Sequence, residues 1–173
     1  MTRPNYLRLI ATILVIGLAA AGPVIAGDEP TVDEQMAGLV AMCDQSQDAR
    51  AARQAAEPLY DRLGGYDKIY ELTTEIVRLH SINPDFERFW GSVDEESLTK
   101  NVADFVSSGT GGPKVYSGRD MPTAHARLEL SSADFLSAGA DVTHAMKNEG
   151  YGDAEIQELV CILVSMKDLV ITK

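Results

Sequence analysis

The chain of 173 residues carries 26 acidic and 15 basic side chains, a net charge of −11, and 45% of its residues are apolar. An acidic excess of this size repels nucleic-acid phosphates and anionic lipid, and no Lys/Arg cluster offsets it, so neither is an expected partner. The two cysteines, Cys43 and Cys161, form no CxxC or CxxCH spacing, which excludes a thioredoxin-type site and covalent c-type haem attachment.

Arg3 and Arg8, the apolar run LIATILVIGLAAAG and the residues VIA before Gly27 make the pattern of a signal peptide over residues 1–26. The run is short for a bilayer span, and Gly17, Gly22 and Pro23 interrupt it; an uncleaved membrane anchor is the alternative. No cysteine follows it, which argues against a lipoprotein. Cleavage after Ala26 leaves about 147 residues, enough for one domain with a real core. Loss of Arg3 and Arg8 moves the net charge from −11 to −13. The expected location is periplasmic or secreted, without stable membrane insertion after cleavage, and export makes a disulfide chemically possible.

Residues 31–57 read as a helix, with Val32, Met36, Leu39, Val40 and Cys43 at helical spacing and Pro58 as its limit. Residues 27–57 are therefore an N-terminal helical extension to a main domain at 58–173, and serve either as a brace or as a partner-binding element. Lying along the last helix, the extension would bring Cys43 and Cys161 within the roughly 4–7 Å between Cα atoms that a disulfide needs. The alternative is that Cys161 fills a packed position as a free thiol.

After Leu63-Gly64-Gly65, the apolar series Ile69, Leu72, Ile76, Leu79 predicts a helix of about 16 residues stopped by Asn83-Pro84. A short turn carries Phe86, Phe89 and Trp90. The next helix starts at the acidic Asp94-Glu95-Glu96, where negative charge meets exposed amides. It presents Leu98, Val102, Phe105 and Val106 on one face and breaks at GTGGP, 109–113. Within SGRDMPTAHARLEL, 117–130, Asp120 can cap a short helix and Pro122 suits its first turn. Met121, His125 and Leu128 then share one face. An imidazole on an apolar stripe is either a core histidine bonded to a carbonyl or a ligand for a metal or haem. Phe135, Ala138, Val142 and Met146 mark a long helix closing near Gly150. Ile156, Leu159, Val160, Leu163 and Met166 mark another that runs to the C-terminus. No stretch alternates with period two, so the fold class is all-α. Of the other histidines, His144 falls on a polar side, while His80 lies partly on an apolar stripe as a packed or capping residue, with reaching the iron or shuttling protons as the alternative.

PLYDRLGG at 58–65, NPDFERFW at 83–90, GGPKVYSGRDM at 111–121 and AHARLELSSADF at 124–135 resemble, in order and spacing, the group I truncated haemoglobins. The resemblance runs from about Leu59 to Val170. It implies a truncated (2-over-2) globin fold, two helix pairs crossed around haem b (iron protoporphyrin IX), here with an extra N-terminal helix after the signal peptide. It places His125 as the proximal ligand, Phe89 and Trp90 beside the macrocycle, and Met121 and Tyr116 on the proximal side. Phe105 joins the pocket lining from the preceding helix. Neutral imidazole on a short capped helix suits iron chemically, and an apolar shell protects it.

Against the family pattern, the distal tyrosine position is Val77, and the following helix offers Leu98 and Val102 where polar groups are usual. Tyr70 is two turns, about 10 Å, from Val77 along the axis and cannot replace the missing phenol. A donor hydrogen bond to bound oxygen contributes on the order of 1–3 kcal/mol, so its absence implies fast oxygen release and a shift toward CO and NO. The expected function is binding of a diatomic gas (O2, NO or CO) as scavenger, carrier or sensor. The alternatives are a haem enzyme, NO dioxygenase or peroxidase-like, drawing on an external electron donor, and a helical interaction module without haem.

Overall fold

The computed structural model describes residues 29–173; the expected signal peptide lies outside them. Caps and breaks set the helices. In α1 (Val32–Gln45), Thr31 and Glu34 form a reciprocal capping box, and the bonds from the Thr31 amide and hydroxyl hold the Glu34 carboxyl below its usual range. The predicted single helix 31–57 is in fact two, α1 and α2 (Gln47–Ala56), divided at Ser46. Ser46 Oγ donates back to the Met42 carbonyl at 2.8 Å, and Arg50 Nη2 donates to the Cys43 carbonyl at 2.8 Å, so the ladder is interrupted by local polar competition.

After the one-turn α3 (Leu59–Arg62), Gly64 at φ 91° turns the chain into α4 (Gly65–Ile82). Asn83 ends α4 and its side chain caps a 3-10 turn, Pro84–Phe89. Then come α5 (Glu95–Gly109), capped by Asp94, α6 (Met121–His125), and α7 (Ser132–Asn148), capped by Ser131 and Asp134. The predicted last helix through Met166 ends instead at Val164 as α8 (Asp153–Val164), where Ser165 Oγ donates to the Ile162 carbonyl at 2.6 Å. The chain turns into α9 (Lys167–Val170), which packs against α6. An isolated bridge joins Leu130 to Ile171, with Thr172 N–H donating to the Leu130 carbonyl at 2.9 Å. No extended strand exists among the described residues.

α4 packs against both α5 and α7, and α7 against α8, around a core that includes Leu59, Leu63, Ile69, Leu72, Ala145 and Met146. Along α5 burial is uneven. Thr99, Ala103, Val106 and Ser107 are buried, whereas Leu98, Val102 and Phe105 are only half-buried. Small side chains let α5 approach α4 closely, and the larger apolar ones are left to its side.

The extension is tied down along its length. α1 packs against α7 and α8, and Cys43 is disulfide-bonded to Cys161 with 5.5 Å between Cα atoms. Buried Glu158 of α8 receives both Arg53 of α2 and Arg62 of α3, and Arg62 also reaches Glu155 at 2.7 Å. Burial would lower the Arg62 pKa, but the bonds to Glu158 and Glu155 outweigh it and raise it. Gln54 Nε2 donates to the Thr110 carbonyl at 3.2 Å. The disulfide closes a long loop, so the double variant Cys43→Ala/Cys161→Ala is expected to lose about 2–4 kcal/mol, read from guanidinium unfolding. Two free thiols titrating in unreduced, denatured protein would show that the bond is not made.

Candidate functional site

α6 is a single turn held at both ends. Asp120 accepts from the Thr123 amide at 2.7 Å, and bonds from Thr123 keep its carboxyl below the usual range. Pro122 sits in the first turn, as predicted. His125 is the last helical residue, half-buried, with Nδ1 2.8 Å from the Met121 carbonyl. A carbonyl only accepts, so Nδ1 carries a proton and Nε2 is the nitrogen left to act as a ligand. The two readings of this histidine share that bond and differ at the second nitrogen. A settled core histidine bonds through both; here no described residue bonds Nε2, which is open to solvent rather than buried. The site thus presents an oriented imidazole.

The turn from α5 to α6 depends on its glycines. Gly111 has φ 98°, and a Cβ on Gly112 would fall 2.3 Å from the Tyr60 ring and 2.6 Å from Ser107 Oγ. Tyr116 then packs edge-on to Phe105, ring centroids 5.3 Å apart, and donates from its hydroxyl to the Arg119 carbonyl at 2.8 Å. Two predicted pocket residues, from α5 and from the loop before α6, are thereby in contact.

Phe89 is half-buried, 6.2 Å from the buried Phe86, with the Arg88 guanidinium 4.2 Å over its ring. Trp90, also half-buried, donates to Glu95 at 2.8 Å. Val77 is 3% exposed yet stands outside the main core cluster, while Val102 and Phe105 pack against that cluster. Tyr70 also packs against the main core. His80 pairs through Nδ1 with Asp141 of α7 at 2.9 Å and meets Phe86 edge-on at 4.9 Å, which makes it a packed residue; His144 is exposed.

Sequence reasoning missed the partners on α7 and α8. Asp134 and Asp141 and, at the centre of the ion network, Glu158 interrupt apolar series at helical spacing, and that interruption was the available signal. An iron porphyrin requires one neutral imidazole nitrogen and apolar or aromatic side chains not spent on the core. His125 meets the first need. Met121, Tyr116, Leu98 and Phe89, all half-buried and outside the main core cluster, meet the second, while Val102 and Phe105 are half-buried but pack against that cluster.

The family model described as bacterial-like globin matches residues 58–171. A group 1 truncated hemoglobin of Tetrahymena pyriformis is 24% identical over 107 residues, 62% of this chain and 88% of that protein. Another from a Nostoc species is 24% identical over 115 residues, 66% of this chain and 98% of that protein. The crystal structure of the Tetrahymena pyriformis truncated hemoglobin in its Fe(III) form superposes with a TM-score of 0.65 at 23% identity, covering 68% of this chain and all of that one. α1 and α2 precede the matched segment.

Proposed function

The chain belongs to the bacterial-like globin family, among the group I truncated haemoglobins, and from that premise we propose that it holds haem b through His125 and binds a diatomic gas on the opposite side. The observation that carries this reading is the His125 ring on its short capped helix, oriented by the Met121 carbonyl with Nε2 bonded by no described residue. Haem held by His125 would supply an iron able to bind O2, NO or CO. The chain's own contribution there is exclusion of water and of hydrogen-bond donors by Val77, Leu98 and Val102. Ligands that gain little from a donor are favoured by such a surface, which suits a scavenger, carrier or sensor of CO or NO more than an oxygen store. Location outside the cytoplasm belongs to the same proposal and is supported by the segment 1–26 and the Cys43–Cys161 bond.

Absorption spectra of the ferric, ferrous and CO-bound protein test it. The expected result is a Soret band with a five-coordinate, histidine-ligated ferrous form that becomes six-coordinate only with CO. Absence of a Soret band after reconstitution would leave a haem-free helical module. Rapid consumption of NO with oxygen and an external reductant would instead make it an enzyme.

A further inference from the structure

Asp134, Ser137 and Asp141 stand three and four residues apart, on one face of α7. Each takes partners from the segment 80–88. Asp141 accepts from His80 and from Asn83, both at 2.9 Å; Ser137 accepts from Asn83 at 3.1 Å and donates to Asp85 at 2.8 Å; Asp134 accepts from Arg88 at 2.6 Å. The 3-10 turn Pro84–Phe89 is therefore fastened to α7 at both ends, with buried Phe86 as its middle pin.

Arg88 differs from the other members of this row. It is about half exposed, whereas its partner Asp134 is buried, and the Ser131 amide and hydroxyl already bond that carboxylate at 2.8 and 2.6 Å. Burial would push the Asp134 carboxyl up, but the Ser131 and Arg88 bonds hold it below the usual range. Asp134 is thus a fixed anion, and Arg88 is the mobile group that it immobilises. The remaining face of that guanidinium lies over Phe89, and Nη1 reaches the Asp85 carbonyl at 3.3 Å. A planar guanidinium can stack and bond at the same time; an ammonium cannot reproduce both. Phe89 is consequently flanked by Arg88, tied to α7 through Asp134, and by buried Phe86, itself edge-on to His80, and remains half-exposed.

We propose that Arg88 is a positioning residue: anchored by Asp134, it holds the Phe89 ring against the edge of the haem and so sets how firmly the cofactor is seated. The inference rests on the haem reading above and adds to it a residue outside the expected pocket set. A ring pinned at two sides and left half-uncovered offers a preformed apolar surface, and the entropy of ordering it has been spent before the cofactor arrives.

The test measures transfer of haem from the loaded full chain to an excess of a haem-free globin acceptor. Arg88→Lys, which keeps the charge beside Asp134 but not the stacked plane, is expected to speed haem loss about two- to fivefold. Its unfolding midpoint without haem should match the wild type, which separates positioning from general stability. Phe89→Leu should speed loss at least as much, and adding Arg88→Lys to Phe89→Leu should add nothing further. Wild-type loss rates in both single variants, or effects that multiply in the double variant, overturn the positioning role while leaving the haem reading intact. A wild type that takes up no haem, or shows no imidazole ligation, overturns both.

Discussion

Replacing His125 by alanine is expected to abolish the imidazole-ligated haem spectrum. Neither of the other histidines nor either cysteine is positioned to take its place. His80 is engaged with Asp141, His144 is exposed on α7, and both cysteines are consumed in the disulfide. Haem affinity should fall by more than the roughly 10–100-fold that losing a mere outer-shell partner costs, read by haem titration. The fold should survive, because the side chain is half-buried and its one hydrogen bond contributes about 1 kcal/mol. Added imidazole should restore part of the spectrum by entering the vacated space. An unchanged spectrum in His125→Ala would mean that the proximal ligand lies elsewhere.

Replacing Val77 by tyrosine is expected to slow oxygen release. A phenol donor at that place gains on the order of 1–3 kcal/mol with bound oxygen, which lowers the off-rate roughly five- to a hundredfold. Val77 is 3% exposed, so the larger ring also imposes repacking, at about 1–3 kcal/mol of stability. Val77→Phe controls for this, since it adds the same bulk without a hydroxyl. Stopped-flow displacement of oxygen by CO should therefore slow for Tyr and not for Phe. Slow release already in the wild type would reveal a donor among the residues set aside as apolar or packed. A ferrous form that is six-coordinate without added ligand would point to His80, which would first have to leave Asp141.

The elements that carry the expected pocket residues were legible because they are marked locally. Asp120 and Pro122 start α6 where the sequence places the start, and Asn83-Pro84 ends α4. Asp94 caps α5, and the Gly111-Gly112 turn admits no side chain at its second position. The face of α5 was read less well. Periodicity grouped Leu98, Val102, Phe105 and Val106, but a helix packed closely against a neighbour puts its small residues innermost, and hydrophobicity alone cannot rank Ala103 and Thr99 above Leu98. Arg88 went unnoticed for a related reason: its exposed, charged character matches an ordinary surface position until its partners are known.

What the sequence determines by itself is the set of events that close within about four residues: helix periodicity, side-chain caps, proline stops and glycine turns, and with them the short helix that ends at His125. The tertiary structure alone decided the pairings across the chain. Cys43 meets Cys161, His80 meets Asp141, Arg53 and Arg62 converge on Glu158, and Arg88 joins Asp134 to Phe89. A local hydrogen bond is fixed by spacing, whereas a contact between residues 46 to 118 positions apart depends on which faces the packed helices present to one another.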